Sequence, residues 1–134
     1  MRDTLKLYGV TLFIFLVLDA IWLGLVAQPF YQAQIGFLLA PRANWAAAAV
    51  FYLLYVAGLV FFVVAPALRV GQPPRQAARR GAFFGLVTYA TYDLTNLATV
   101  AGWPVGLTLV DLAWGTLLGG VTTLAALWLL RRWR

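Results

Sequence analysis

The chain has 134 residues, of which 63% are hydrophobic and 10% are charged, and its mean hydropathy is +0.86. An ordinary soluble domain is about 45–50% apolar, so this composition excludes a soluble fold. The chain has no cysteine and no histidine, which excludes disulfides, thiolate chemistry and histidine-based sites. The net charge of +6 comes from basic residues beside apolar segments. We therefore expect the charge to reflect membrane topology, and we expect no nucleic-acid partner.

Four continuous apolar runs are each long enough to cross a membrane as a helix, which takes about 20 residues. Their continuity favours helices over the alternating strands of a membrane barrel. The sequence therefore predicts an all-α membrane protein, a single integral domain over residues 1–134 that forms a four-helix bundle. The predicted spans are residues 7–27, 45–65, 81–101 and 107–130.

The first predicted span contains Asp19, and this acid together with the large Leu25 argues against a cleaved signal peptide. The following segment, 28–44, is too long for a tight turn and too short to span a membrane. Pro29 and an alternation of apolar residues with glutamines predict a short interfacial helix there, on the outer leaflet.

Basic residues are concentrated at the N-terminus, in the segment 66–80 and at the C-terminus, while Arg42 falls on the other side of the predicted bundle. The positive-inside rule therefore predicts that both termini are cytoplasmic. The segment 66–80 contains four arginines and two adjacent prolines. These features predict an irregular basic turn near the lipid headgroups.

Three acids lie inside predicted spans: Asp19, Asp93 and Asp111. A charge at mid-span costs about 2.5–3.5 kcal/mol on insertion scales, and no lysine or arginine lies well inside a span to neutralise them. Their distances from the span ends put all three about 6–12 Å below the outer edge. We therefore expect the three carboxyl groups to meet in the outward-facing half.

Aromatic and polar side chains accompany these acids. A tryptophan follows Asp19 and Asp111 by three residues, so each indole lies near its acid on the helix surface. The third span adds tyrosines and an asparagine. The candidate ligand-binding residues are therefore Asp19, Trp22, Tyr89, Tyr92, Asp93, Asn96, Asp111 and Trp114.

The third span is the most polar, so we expect it to be the central helix of the bundle. Glycines four residues apart occur in two spans, as Gly81 with Gly85 and as Gly115 with Gly119. Small residues at this spacing let helix backbones approach closely. We expect them to pack helices within one protomer rather than to form a dimer interface.

Unpaired carboxyl groups in a membrane are satisfied by protonation, by hydrogen bonds, by sharing a proton or by binding a cation. Interhelical hydrogen bonds explain a single buried Asp. Three at a matched depth, beside tyrosines and tryptophans, favour an outward-facing cavity for a small cationic, protonatable or amphipathic ligand, in a transporter or a sensor. No cofactor and no metal is assigned.

Two alternatives remain open. In the first, the protein is an intramembrane enzyme that modifies a lipid, with the carboxylates as an acid–base pair or as ligands of Mg²⁺. In the second, the protein is a structural subunit whose polar residues serve assembly, in a homodimer or in a larger membrane complex. The lack of a nucleophile motif counts against an enzyme.

Four motifs follow one another along the chain: residues 18–24 (LDAIWLG), 92–97 (YDLTNL), 103–104 (WP) and 111–115 (DLAWG). The set resembles a family of small bacterial membrane proteins, domain of unknown function 2177, over nearly the whole chain. The resemblance implies four membrane helices, and we expect the protein to lie in a bacterial inner membrane. It implies no particular activity.

Overall fold

The structure is a computed structural model that describes residues 2–40 and 44–132. This part of the chain is 89% helical and contains no strand. Its α-helices are α1 (Arg2–Ile21), α2 (Gln28–Ile35), α3 (Trp45–Leu59), α4 (Ala65–Val70), α5 (Pro74–Thr99) and α6 (Val105–Arg132). A π-helical segment, Trp22–Ala27, joins α1 to α2, and a second, Val60–Val64, joins α3 to α4. The described chain therefore forms four long helices.

Both π-helical segments end two residues before a proline, at Pro29 and at Pro66. Inside a helix, a proline lacks an N–H group, and its ring collides with the carbonyl group four residues earlier. A π turn bonds five residues back, as the Gln28 N–H group does to the Leu23 carbonyl, and so changes the register ahead of the ring. The helices therefore continue through both prolines.

Three of the long helices are apolar and long enough to span a membrane: Thr4–Ile35, Trp45–Val70 and Val105–Arg132. They contain three of the predicted spans, and two of them extend beyond the prolines at which the predictions stopped. The remaining predicted span, 81–101, lies mostly in α5, which does not belong to this apolar group.

Two connecting segments differ from the sequence prediction. Residues 28–35, predicted to begin a separate interfacial helix, instead continue the first long helix as α2, with a turn at 36–39. Residues 66–80, predicted to be an irregular turn, are helical except at 71–73. Pro74 fits there because the first turn of a helix needs no N–H group from it. The predicted outer charge, Arg42, lies outside the described residues.

Two tight turns make the last three long helices run antiparallel, each to the next. Gly71 and Gly102 adopt left-handed backbone angles, with φ of 66° and 76°, where the chain reverses direction. Arg131 near the end of α6 donates a hydrogen bond of 2.6 Å to the carbonyl group of Gln72, so these two places lie at one end of the bundle. The same end, called the basic end below, carries Arg69, Arg75, Arg79, Arg80, Arg131 and Arg132.

Helices α5 and α6 pack along a seam of glycines. A Cβ atom at Gly85 would overlap the carbonyl group of Gly115, and one at Gly119 would overlap that of Gly81. The two backbones are therefore in direct contact, which a side chain at these positions would prevent. The contact confirms that these glycines pack helices within the protomer.

The central helix is α6 rather than α5, which corrects the sequence prediction. Eleven residues of α6 are buried, against four of α5. Helix α5 exposes Thr91, Thr95 and Thr99. Each hydroxyl group bonds a carbonyl group of its own helix. A threonine satisfied in this way needs no neighbouring helix, so the polarity of α5 does not require burial.

Apolar side chains fill the bundle from its middle towards the basic end. Phe15, Leu59 and Leu118 are almost fully buried in this core, which extends to Leu130 near the end of α6. Lipid tails are as apolar as these side chains, so van der Waals packing between the helices, rather than removal from water, stabilises this core. The polar side chains of the predicted site therefore occupy the opposite half of the bundle.

Candidate functional site

The glycine seam ends at two carboxyl groups. One face of α5 carries residues 85, 89 and 93, and the facing side of α6 carries residues 119, 115 and 111 in reverse order. Because the glycines bring the backbones into contact, the carboxyl groups of Asp93 and Asp111 lie side by side. Asp93 is fully buried, and Asp111 is 4% exposed.

Two adjacent carboxyl groups cannot both carry a charge without a large cost. Two like charges 4 Å apart repel each other by about 4 kcal/mol at an effective dielectric constant near 20. Among the described residues, no lysine or arginine contacts Asp93 or Asp111, and the arginines gather at the basic end. Within the described part of the chain, the pair therefore needs a proton between its members or a positive charge from elsewhere.

Tyr31 reaches the pair from the first long helix. Its hydroxyl group donates a hydrogen bond to Asp111 Oδ1. Ala27 and Ile35, four residues to either side of Tyr31 on the same helix face, are both buried. Tyr31 arrives at this position because the helix runs on through Pro29, so α2 contributes directly to the site.

A cavity of about 420 Å³ opens beside Asp111, and we call it the larger cavity because it is the larger of the two that the predicted site residues line. Its wall is mostly aromatic and aliphatic, and Asp111 contributes a carboxyl group to it. Binding sites for small molecules have volumes of about 300–1,000 Å³ and a few polar groups in an apolar wall. The main lining residues are Tyr31, Ile35, Phe51, Tyr89, Tyr92 and Leu107.

Asp19 lies in a neighbouring space of about 180 Å³, the smaller cavity. In its wall the rings of Trp22 and Trp114 are stacked, with centroids 4.5 Å apart and planes 7° apart. The carboxyl group of Asp19 lies beside the Tyr52 hydroxyl group and the Trp114 indole. The two cavities share three lining residues, Tyr31, Phe51 and Tyr89.

The structure brings two of the three predicted acids together and separates the third. Asp93 and Asp111 form a pair, whereas Asp19 lies at the level of Trp114 in the smaller cavity. Within residues 2–40 and 44–132, no three potential metal-ligating side chains of His, Cys, Asp or Glu come together. The expectation that all three acids meet at one place is corrected, because the glycine seam aligns α5 with α6 but does not set the position of α1.

Six of the eight predicted site residues line one or both cavities, and two line neither. Asn96 and Asp93 line neither of them. The backbone carbonyl group of Asn96 accepts a bond of 2.8 Å from the Val100 N–H group at the end of α5. Asp93 lies beside Asp111. The predicted residues that line the larger cavity are Tyr89, Tyr92 and Asp111, and those that line the smaller one are Asp19, Trp22, Tyr89 and Trp114.

The sequence prediction of the site did not include Tyr31, Phe51 or Tyr52. For Tyr31 a signal exists, because Ala27, Tyr31 and Ile35 continue a four-residue spacing past Pro29. Phe51 and Tyr52 lie in α3, where apolar residues cover every side of the helix. A helix of this kind gives no periodicity from which an inward face can be read.

The comparison with protein families agrees with a membrane setting. Residues 4–128 match the family model described as predicted membrane protein (DUF2177). The chain belongs to this family. The resemblance seen in the four motifs is thus confirmed, and the family description agrees with the three apolar helices. Comparisons with curated proteins and with solved structures gave no match.

Proposed function

We propose that this protein binds an amphipathic organic cation in the larger cavity, as a transporter or as a sensor. The observation that carries the proposal is the pair of Asp93 and Asp111, which is buried, lies beside an aromatic cavity and has no basic partner among the described residues. A monovalent cation with an apolar body supplies the missing charge and covers the aromatic wall.

We also propose that α5 is a fourth membrane span. It packs backbone to backbone on α6, which is itself apolar enough to span. Its 26 residues extend about 39 Å, longer than the hydrocarbon core of about 30 Å. The glycine seam hides one side of α5, and the threonines on its exposed side are satisfied by their own helix.

In this proposal both termini lie in the cytoplasm and the protein resides in a bacterial inner membrane. The arginines of the basic end support this orientation, because cytoplasmic ends of membrane helices are enriched in basic residues. The two cavities then face outward. The 32 residues of Thr4–Ile35 extend about 48 Å, so part of α2 lies in the outer headgroup region.

Equilibrium binding of tetraphenylphosphonium to the full chain in lipid nanodiscs tests the proposed site. Tetraphenylborate has the same shape and the opposite charge, so it is a matched control ligand. We expect saturable binding of the cation and none of the anion. Asp111→Asn removes the charge while keeping the side-chain shape, and we expect it to weaken cation binding about tenfold or more, equivalent to about 1.4 kcal/mol.

Thr91→Val is the matched control variant. Thr91 is exposed on the same helix as Asp93, and its hydroxyl group bonds the Val87 carbonyl at 2.7 Å. We expect this variant to bind the cation as the unmodified protein does. Equal affinity of folded Asp111→Asn and unmodified protein would overturn the proposal, and so would equal binding of the two ions.

The same cationic chemistry occurs in free solutes and in lipid headgroups. Nanodiscs with the same content of phosphatidylglycerol, completed either with phosphatidylethanolamine or with an uncharged glycolipid, distinguish these sources because their surface charge is equal. If a lipid ammonium group occupies the cavity, phosphatidylethanolamine weakens tetraphenylphosphonium binding. If the natural ligand is a free solute, the affinity stays the same in both membranes.

A further inference from the structure

The carboxyl group of Asp93 is enclosed in an unusual way. The side chain is fully buried, and among the described residues no N–H or O–H group donates a hydrogen bond to either of its oxygens. Its polar neighbour is the carboxyl group of Asp111. Since Asp93 lines neither cavity, a ligand in the larger cavity touches Asp111 and does not touch Asp93.

Three helices contribute titratable groups that face Asp93. Asp111 comes from α6, Tyr31 comes from α2, and Tyr92 is its neighbour on α5. The hydroxyl group of Tyr31 already donates to Asp111. No lysine or arginine among the described residues faces Asp93, so within this part of the chain neither a cation nor a donor stabilises a negative charge on it.

A proton on Asp93 removes the unpaired negative charge and the need for a donor to it. The Asp93 O–H group has an acceptor beside it, the carboxylate of Asp111. Asp111 then receives one hydrogen bond from Asp93 and one from Tyr31. Hydrogen bonds to an ionised acceptor are about twice as strong as those between neutral groups. The pair then carries a single negative charge, located on the member that faces the larger cavity.

We propose that Asp93 is a neutral carboxylic acid that keeps its proton whether the larger cavity is empty or occupied, and donates its O–H group to the Asp111 carboxylate. Asp93 is a positioning residue: it holds and stabilises the anion that the cation meets. This inference rests on the proposed function of the larger cavity. No proton is released or taken up when the cation binds, because the charge that it neutralises is already present on Asp111.

Infrared spectroscopy of the full chain in nanodiscs tests the proton on Asp93 without any ligand. The carbonyl stretching band of a protonated carboxylic acid is separate from the carboxylate bands. We expect the difference spectrum between unmodified protein and Asp93→Asn to contain this band, and the band to persist in Asp111→Asn. A difference spectrum that contains carboxylate bands instead would overturn the inference.

Tetraphenylphosphonium binding tests the donated hydrogen bond. The amide of Asp93→Asn retains a donor, so we expect this variant to bind within about threefold of the unmodified protein. Asp93→Leu has a similar size and no donor, and we expect about tenfold weaker binding, since the Asp111 carboxylate loses a charge-assisted hydrogen bond. If Asp93→Asn loses as much affinity as Asp111→Asn, Asp93 itself carries the binding charge and the inference is wrong.

The two proposals fail in different ways. If the unmodified protein does not bind the cation, the proposed function fails, while the infrared difference spectrum still reports the proton on Asp93. If the cation binds and Asp93→Leu binds it as well as the unmodified protein does, the proposed function survives and the inference fails. Should Asp93→Leu not fold, Asp93→Asn and the infrared band decide the outcome.

Discussion

Tyr31 donates a hydrogen bond to Asp111 across 80 residues of sequence. The bond ties the far end of the first long helix to the first turns of α6. It exists because the helix passes through Pro29 with a π turn instead of ending there. Tyr31 therefore contributes its ring to the walls of both cavities and a hydrogen bond to the acid of the larger one.

The variant Tyr31→Phe keeps the ring in both cavities and removes the donor to Asp111. We expect tetraphenylphosphonium affinity to fall about tenfold, because the ionised carboxylate loses a charge-assisted hydrogen bond. Tyr8→Phe is the control, since the Tyr8 hydroxyl group bonds the Leu53 carbonyl at 2.8 Å in another part of the bundle. Equal affinities for the two variants would contradict this role of Tyr31.

Replacement of Gly85 by alanine tests the glycine seam. A Cβ atom there would overlap the Gly115 carbonyl group, so we expect Gly85→Ala to lower the free energy of unfolding by about 1–3 kcal/mol. At Gly9 no atom lies within 4 Å of an added Cβ. Gly9→Ala should therefore leave stability unchanged or raise it by up to about 1 kcal/mol, through helix propensity. Denaturant titration in micelles measures both, and a Gly85→Ala variant as stable as Gly9→Ala would count against the seam.

The stacked rings of Trp22 and Trp114 predict an energetic coupling between α6 and the π-helical segment. In a double-mutant cycle with leucine at both positions, we expect a coupling of about 0.5–1.5 kcal/mol in the free energy of unfolding. Trp45 is 71% exposed, so a cycle that pairs it with Trp22 should be additive within about 0.5 kcal/mol. Additive effects for the stacked pair would show that the contact contributes no stability of its own.

The absence of cysteine from the chain makes thiol labelling a direct test of the proposed orientation. Leu38→Cys places a thiol in the turn after α2, and Gln76→Cys places one in the first turn of α5, at the basic end; both positions are exposed. In spheroplasts, whose inner membrane is intact, we expect an impermeant maleimide to label Leu38→Cys alone. Permeabilised cells should show labelling of both variants. The reverse pattern in intact spheroplasts would place the two cavities on the cytoplasmic side.

Sequence patterns predicted the long helices well because apolar run length is a local property. They also predicted that Gly81, Gly85, Gly115 and Gly119 pack helices together, since small residues four positions apart share a helix face. The ends of the helices were predicted less well. A proline normally ends a helix. The π-helical segments that carry the chain past Pro29 and Pro66 leave no clear mark in the composition.

The burial of α5 shows a second limit. Its many threonines and tyrosines predicted a central position, yet Thr91, Thr95 and Thr99 are exposed and bond to their own helix. In this protein, a polar side chain inside a helix is therefore not always buried against another helix. Whether a hydroxyl group turns to its own backbone or to a neighbour depends on which neighbour is present.

The amino-acid sequence by itself determined that this is a helical membrane protein with acids inside its apolar segments, because composition and run length need only be compared with the thickness of a bilayer. The tertiary structure decided that Asp93 meets Asp111, that Tyr31 joins them and that Asp19 stands apart. These relationships depend on how far each helix slides along its neighbours. That displacement is set by backbone contact at the glycines and by the path of the helices through the prolines. It is a relationship between helices, so the sequence of one helix alone does not reveal it.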